Sequence, residues 1–169
     1  RGSKAMTAPK GPIDAPIPDR IFYGGASNRT IEHGLTPVEC RLAYPMHGGE
    51  RIHGGFVLPP FQRPYVWDQA RQIAFVESLW VGIAPTAYVV NSIEDSSGNG
   101  PDQWLIDGQQ RWGAIYAFER GEFPIFGKVE RPHLSARQAR RWKTTSFPCM
   151  EVHLSDVDQL RDLYYRLAF

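Results

Sequence analysis

The stretch WLIDGQQRWGAI, at residues 104–115, constrains the fold of this chain more than any other. A short apolar run ends at Asp107, a glycine follows at position 108, and a helical pattern begins at Gln109. This order predicts a strand, a sharp bend and a helix. Because Gly108 carries no Cβ, the backbone there can turn tightly and lie close to a ligand.

The start of the predicted helix suits an anion such as phosphate. Its first N–H groups have no intrahelical partner, and the helix dipole makes this end partly positive. Gln109 and Gln110 add amide groups, and the guanidinium of Arg111 can hold two phosphate oxygens. Asp107 would repel phosphate, so it fits better as a ligand of a bridging Mg²⁺, or as a partner of Arg111 or a sugar hydroxyl. The alternative is an ordinary strand–turn–helix unit whose polar turn faces water.

The bulk composition favours one globular domain in the cytoplasm. A chain of 169 residues can bury about 70% of its unfolded surface. The 19 Lys and Arg residues nearly balance the 18 Asp and Glu residues, which excludes a broadly basic surface for DNA or an anionic membrane. No apolar run approaches the roughly 20 residues that span a bilayer, so we expect no membrane partner. Cys40 and Cys149 are far apart and lack a pairing motif, which favours reduced thiols.

Residues 1–20 are expected to lie outside the folded domain. Residues 1–5 precede Met6 and look like a tag remnant, and residues 7–19 contain four prolines, which is typical of an extended arm. We expect a single domain over residues 21–169. The last helical pattern continues to the final residue, which suggests a chain that is truncated at its C-terminus.

Caps and periodicity predict the main elements along the chain. Helices are expected to begin at Thr36, Asp68, Gln109, Ser135 and Ser155, with Gly121 ending the third of them. Strands are expected at residues 56–58, 87–90, 104–107 and 147–154. The helix after Asp68 has one apolar stripe that we assign to the core: Ile73, Val76, Leu79, Trp80 and Ile83.

A second polar pair, Gln62 and Arg63, lies in a segment that the prolines at positions 59, 60 and 64 make rigid. These prolines exclude a regular helix or a central strand. Aromatic residues flank the pair on both sides, and a solvated loop would have no need of them. The segment therefore favours a binding site, while the alternative is an arginine paired with a carboxylate under an aromatic cluster.

Two further features leave alternatives open. Residues 47–55 contain His-Gly-Gly twice, which favours a mobile loop, and a metal site there lacks a third ligand. This loop is also a candidate lid over a ligand. The second feature is a basic strip, which is either a solvated helix face or a contact with nucleic acid or nucleotide phosphates. The strip consists of Arg137, Arg140, Arg141 and Lys143.

Two motifs in this order, LPPFQRPYVW at residues 58–67 and LIDGQQR at residues 105–111, resemble the N-terminal domain of GmrSD-type modification-dependent restriction proteins. That family is a member of the ParB/sulfiredoxin-like superfamily, and the resemblance covers residues 56–120. It implies an α+β fold, a small mixed sheet flanked by helices, in which the second motif binds a nucleoside triphosphate. By matching position, the nucleotide loop is Asp107, Gly108, Gln109, Gln110 and Arg111, with Gln62 and Arg63 facing it.

The chain departs from the family pattern at several positions. Trp112 and Gly113 stand where the family has Leu-Thr, and Ala168 stands where it has an asparagine after the last helix. The nuclease domain of the family has no counterpart in this sequence. Sulfiredoxin chemistry is not expected, because the loop at residues 107–111 contains no cysteine.

The resulting hypothesis is nucleoside triphosphate binding with Mg²⁺-dependent hydrolysis, in a phage or bacterial defence or counter-defence setting. Asp107, Gln110 and Arg111 are the candidate catalytic residues, and Asp107 is the candidate metal ligand. One alternative is a ParB-like nuclease or DNA-binding protein. Another is a nucleotide-sensing or decoy module without turnover that binds a partner protein such as a nuclease.

Overall fold

A six-stranded mixed sheet carries the fold in the computed structural model, which describes residues 24–40, 51–83, 86–93 and 100–168. The strands are β1 (Gly24–Thr30), β2 (Arg51–His53), β3 (Phe56–Leu58), β4 (Tyr88–Asn91), β5 (Trp104–Asp107) and β6 (Ser146–Val152). Their order in the sheet is β1-β6-β4-β5-β3-β2. The pairs β6/β4 and β5/β3 are parallel, and the other neighbours are antiparallel.

Five α-helices lie between or after these strands: α1 (Ile31–Leu35), α2 (Gln69–Trp80), α3 (Gln109–Glu119), α4 (Ala136–Lys143) and α5 (Val157–Ala168). Single 3₁₀ turns occur at Val38–Cys40 and Arg131–His133. The combination of a mixed sheet with these helices confirms the expected α+β class. No described helix is both long and apolar enough to cross a membrane.

The central strands divide the core between the two faces of the sheet. Successive strand residues point to opposite faces, so Tyr88 and Val90 join one apolar cluster while Val89 joins the other. The larger cluster lies beneath α1 to α4, and the smaller one lies beneath α5. Strands β4 and β5 are therefore covered on both faces, which explains why they read as continuous apolar runs.

Trp112 of α3 is the centre of the larger cluster and is fully buried. Its ring lies 5.1 Å from that of Phe56 and 5.3 Å from those of Tyr88 and Phe147, measured between centroids. Gly34 of α1 makes room for the indole, because a Cβ at that position would lie 2.1 Å from it. A glycine on a neighbouring helix thus accommodates the indole.

Most predicted helix boundaries are confirmed. Asp68 caps α2, since its Oδ1 accepts a hydrogen bond from the N–H of Arg71 at 2.8 Å. Ser135 opens α4 with a complete capping box. Gly121 follows α3 with a positive φ of 72°.

Three details of the prediction were wrong. Thr36 does not start a helix: it ends α1, where its hydroxyl and N–H both donate to the carbonyl of Glu32. Ile83 lies beyond the end of α2 and is 61% exposed, so it is no part of the core. The first turn of α5 is capped by Asp156 instead of Ser155, because the Asp156 carboxylate accepts from the N–H of Asp158 at 2.8 Å. The N-terminal arm lies outside the described residues.

We predict that Gly34→Ala lowers the free energy of unfolding by about 1–3 kcal/mol, because the new methyl group meets a fully buried indole. Gly25→Ala in β1 is the matched control, since a Cβ there meets nothing within 4 Å. Urea denaturation of both variants measures the difference. Equal stability of the two variants would contradict the close contact between α1 and α3.

Candidate functional site

The loop at residues 107–111 joins β5 to α3 by a left-handed turn. Gly108 is the N-cap of α3 and has a φ of 111°, which favours glycine. A Cβ at this position would also lie 2.6 Å from the Cβ of Tyr88. The first intrahelical bond runs from the N–H of Trp112 to the carbonyl of Gly108 at 2.9 Å. The N–H groups of the three preceding residues therefore have no intrahelical partner and form the positive start of the helix.

Arg111 is buried behind this turn, and most of the hydrogen-bond donors of its guanidinium bond to neighbouring groups of the protein. Its Nη1 donates to the carbonyl and, at 2.6 Å, to the hydroxyl of Thr86, and to the carbonyl of Ala87 at 3.2 Å. Its Nη2 forms an ion pair with Oδ2 of Asp107 at 2.5 Å. The side chain of Asp107 is 41% exposed, and its Oδ1 accepts no hydrogen bond from the described residues. The pair thus holds one carboxylate oxygen and leaves the other to solvent.

Gln110 joins the loop to the proline-rich segment. Its Oε1 accepts from the N–H groups of Val66 at 2.8 Å and Trp67 at 3.0 Å, and its Nε2 donates to the carbonyl of Pro64 at 3.3 Å. The amide is therefore committed to the backbone of residues 64–67. Gln110 thus positions one half of the site against the other.

Gln62 makes the reciprocal connection. Its Nε2 donates to the carbonyls of Leu105 at 2.7 Å and Ile106 at 2.9 Å, at the end of β5. Arg63, the next residue, is exposed, and its guanidinium has no ion pair among the described residues. Its N–H donates to the hydroxyl of Tyr164 on α5 at 3.3 Å. The structure therefore brings the two sequence motifs together and leaves Arg63 as a free cation beside the loop.

A cleft of about 180 Å³, here called the first cleft, lies where these elements meet. Three arginines and one carboxylate line it, so its fixed charge is positive. The third arginine, Arg71, lies in the first turn of α2 with its guanidinium 4.7 Å from the ring centroid of Trp67. The other lining residues are Gln62, Gly108, Gln109, Gln110, Tyr164, Leu167 and Ala168. The cleft brings together every residue that the sequence assigned to nucleotide binding.

Sequence reasoning did not place Arg71 or Tyr164 in the site, and it identified Trp67 only as one of the aromatic residues that flank Gln62 and Arg63. One signal was available for Arg71, because a cation in the first turn of a helix opposes the helix dipole. Such an arginine is more favourable when an anion binds nearby. No comparable signal marked Tyr164, whose place in the cleft depends on the packing of α5 over β5.

The basic strip of α4 contributes no residue to the first cleft. Arg141 donates to the carbonyl of Trp80 at 2.9 Å, and Lys143 lies 4.0 Å from a carboxylate oxygen of Glu32. Arg137 and Arg140 are exposed and have no ion pair among the described residues. The four cations thus form a separate surface, of which two are engaged within the fold.

A single carboxylate in a positively charged cleft fits Mg²⁺, because this ion keeps several waters and takes only one or two protein carboxylates together with the phosphates of a ligand. Asp107 offers such an oxygen. Within the described ranges, no group of three or more His, Cys, Asp or Glu side chains forms a metal cage. Among the described residues, the arrangement therefore fits a metal that would be bound jointly with a ligand better than a metal centre held by the protein alone.

A larger cleft of about 560 Å³, here called the second cleft, runs along α3. His53 forms one wall: its Nε2 donates to the carbonyl of Gln109 at 3.1 Å, and its ring meets Tyr116 edge-on. Burial lowers the pKa of His53 to about 4, so the ring is neutral at pH 7. Gln109 lines both clefts. Its Oε1 is buried and has no hydrogen-bond partner among the described residues.

The second half of the repeated His-Gly-Gly sequence does not form the expected mobile loop or lid. Gly54 and Gly55 make the tight turn between β2 and β3, with a φ of 57° at Gly54. A Cβ on Gly55 would lie 2.5 Å from the carbonyl oxygen of Gly34. The glycines thus allow close packing. Residues 47–50 lie outside the described part of the chain.

A comparison with protein families matches residues 47–163 to the N-terminal domain of the GmrSD restriction endonuclease. The match includes both motifs of the first cleft and confirms the resemblance read from them. No curated protein and no solved structure matches the chain.

We predict that His53 makes the protein sensitive to acid. Its pKa falls from 6.5 in the unfolded chain to about 4 in the fold, so the unfolded state binds more protons between these values. The free energy of unfolding should therefore drop as the pH falls from 6.5 to 4, by up to about 3 kcal/mol. Denaturation across this range, compared between wild type and His53→Phe, isolates the contribution. His133→Gln, at an exposed histidine, is the control, and parallel curves for wild type and His53→Phe would refute the assignment.

Proposed function

Because the chain belongs to the family of GmrSD restriction endonuclease N-terminal domains, we propose that its first cleft binds a nucleoside triphosphate by the phosphates and hydrolyses it with Mg²⁺. The family membership gives the chain a restriction-related role, and the finer assignment rests on the cleft. The observation that carries it is the convergence of free cations and helix-start N–H groups on one small space.

The charges of the first cleft suit the phosphates. Arg63 and Arg71 are exposed side chains at its edge and can each make charge-assisted bonds to phosphate oxygens. The N–H groups at the start of α3 supply further donors. A volume of about 180 Å³ is smaller than the roughly 300–1,000 Å³ of pockets that enclose a drug-sized ligand. We therefore place the phosphates in the cleft and the sugar and base outside it.

Arg111 and Asp107 act together in this proposal. Mg²⁺, when bound with the nucleotide, would offset negative charge on the phosphates. Oδ1 of Asp107 would be the oxygen available to hold the ion, while Arg111 holds Oδ2 and fixes the carboxylate. Buried and paired, Arg111 contributes mainly by orienting Asp107 and by adding positive charge behind the loop.

Gln110 and Gln62 position the two halves, and neither has to touch the reacting atoms. Gln109, at the first helical position, is the remaining amide of the loop, and the residue lines the first cleft. Phosphoryl transfer depends largely on positioning and charge stabilisation, which this arrangement supplies.

We predict that Arg63→Ala weakens nucleotide binding at least about tenfold, since a hydrogen bond to a charged group contributes about 1.5–3 kcal/mol. Titration calorimetry with ATP, GTP, CTP and UTP in the presence of Mg²⁺ measures the effect. Arg137→Ala is the control, because that exposed arginine is not part of the cleft. The proposal fails if wild type binds none of the four nucleotides, or if Arg63→Ala binds as tightly as wild type.

Turnover is tested separately with Asp107→Asn, which removes the charge and keeps the shape of the side chain. We expect Mg²⁺-dependent phosphate release by wild type and at least a tenfold lower rate in the variant. Nucleotide binding by wild type without phosphate release would instead favour the sensing or decoy module.

The exposed cations of α4 favour DNA contact as a second candidate function. Arg137 and Arg140 point away from the core and have no ion pair among the described residues. Binding through them would weaken as salt rises, because it releases counterions from the phosphate backbone. Fluorescence anisotropy with duplex DNA at two salt concentrations, for wild type and the Arg137→Ala/Arg140→Ala double variant, tests this candidate. Binding that is indifferent to both salt and substitution would exclude this surface.

A further inference from the structure

Phe126 has a backbone conformation that does not suit an aromatic residue. Its φ is 49°, and that of the next residue, Gly127, is 77°. The N–H of Lys128 donates to the carbonyl of Ile125 at 3.2 Å and closes the turn between them. Two central residues with positive φ are the pattern of a type I′ turn, where Asn, Asp and Gly are strongly preferred. A bulky residue at the first of these positions is strained.

The turn is held firmly in spite of this strain. Ile125, which is 1% exposed, anchors it in the larger apolar cluster, and its backbone exchanges two hydrogen bonds with Val129 at 2.8 and 2.9 Å. The N–H of Phe126 donates to Oε1 of Glu77 on α2 at 2.5 Å. Phe126 itself is nevertheless 49% exposed. An asparagine would serve the turn better, so the half-exposed ring has no evident purpose within the fold.

The helix α4 is attached to the same stretch of α2 as this turn. Arg141 donates from Nη2 to the carbonyl of Trp80 at 2.9 Å, and its guanidinium lies 5.7 Å from the centroid of that ring. Residues 77 and 80 are about 4.5 Å apart along the helix axis. The turn and α4 therefore lie close together on α2. Arg137 precedes Arg141 by one helical turn and lies on the same side of α4.

The charge of this surface favours an anionic partner. Lys128 in the turn and Arg137 and Arg140 on α4 are exposed, and α4 contains no acidic residue. Glu77 and Glu130 offset part of the charge, but one oxygen of Glu77 already accepts the backbone hydrogen bond of the turn. A nucleic acid offers phosphates to the cations and flat base faces to the ring.

We propose that Phe126 stacks on the face of a nucleobase that is unpaired or displaced from its stack, while Lys128, Arg137 and Arg140 hold the adjacent phosphates. Backbone strain is concentrated at functional sites, and here it presents an aromatic ring on a rigid turn beside cations. This proposal deepens the second candidate function, DNA contact through α4, and rests on it. It does not depend on nucleotide binding, because Phe126 lines neither cleft.

Three substitutions separate the effect of the ring from that of the turn. Phe126→Asn removes the ring and suits the positive φ, so the melting temperature should be kept or raised, by up to about 4 °C. Phe126→Leu keeps an apolar side chain without a flat face, and Phe126→Trp keeps a flat ring. Tyr165→Leu is the matched control, because it removes a half-exposed aromatic residue from α5.

Fluorescence anisotropy measures binding to three probes: a single-stranded DNA, a fully paired duplex and a duplex with one mismatched pair. Phe126→Asn and Phe126→Leu should each weaken binding to the single strand or the mismatched duplex at least about fivefold, since base–aromatic stacking contributes that much or more. Phe126→Trp and Tyr165→Leu should bind at least as tightly as wild type. Preference for the single strand identifies an unpaired strand as the ligand, and preference for the mismatched duplex identifies a displaced base.

The outcomes distinguish this proposal from the candidate on which it rests. If wild type binds none of the three probes, both are lost. Binding that weakens with salt and in the Arg137→Ala/Arg140→Ala variant, but not in Phe126→Asn or Phe126→Leu, would overturn the stacking alone. Equal affinity for the paired duplex and the other probes would also overturn it, because a paired base has no free face. If Phe126→Asn lowers the melting temperature, equal binding by Phe126→Leu and Phe126→Trp contradicts stacking.

Discussion

The site depends on hydrogen bonds that two glutamine side chains make to backbone on opposite sides of the first cleft. Gln110 of α3 bonds to the segment at residues 64–67, and Gln62 of that segment bonds back to the end of β5. Both residues are largely buried, so an apolar replacement of either would leave buried backbone groups without a partner. This reciprocal arrangement explains why the two motifs occur together. The backbone of residues 62–67 forms no regular helix or strand, and its N–H and C=O groups are paired in part by the side chain of Gln110. In return, the side chain of Gln62 pairs carbonyl groups at the end of β5.

The sheet and the aromatic core supply the rigidity on which these bonds rely. β5 lies between β4 and β3, and its continuation into α3 carries Trp112 into the centre of the larger cluster. Close packing of the indole against Gly34, and of Tyr65 against Gly113, fixes α3 against α1 and the proline-rich segment. Small residues thus appear where large aromatic rings need room. Since cores tolerate little change in volume, α3 is held firmly relative to α1, the proline-rich segment and the hairpin of β2 and β3.

Local signals in the sequence were sufficient for much of the fold and for half of the site. Caps and periodicity identified α2, α3 and α4, because these elements carry their own end signals in Asp68, Gly121 and Ser135. They did not reveal β1, whose sequence GGASNRT has little strand propensity and whose pairing with β6 is a tertiary effect. The cleft residues likewise divide into those with a local sequence signal and those that depend on tertiary contacts. The loop and Arg63 were readable from motif chemistry, whereas Tyr164 and the wall formed by His53 depend on contacts between residues far apart in the chain.

The loop also shows that adjacent residues of one type can serve different purposes. Consecutive side chains on a helix point about 100° apart, so Gln109 and Gln110 face different surroundings although both begin α3. The side chain of Gln110 makes hydrogen bonds to three backbone groups, so it stabilises the contact between α3 and residues 64–67. The main-chain carbonyl of Gln109 accepts a hydrogen bond from His53, while its side-chain oxygen is buried and has no partner in the part of the chain that the structure describes. A motif that reads as a pair of equivalent amides is therefore divided, because the helix directs Gln110 toward the backbone of residues 64–67 and Gln109 toward a different buried position beside His53.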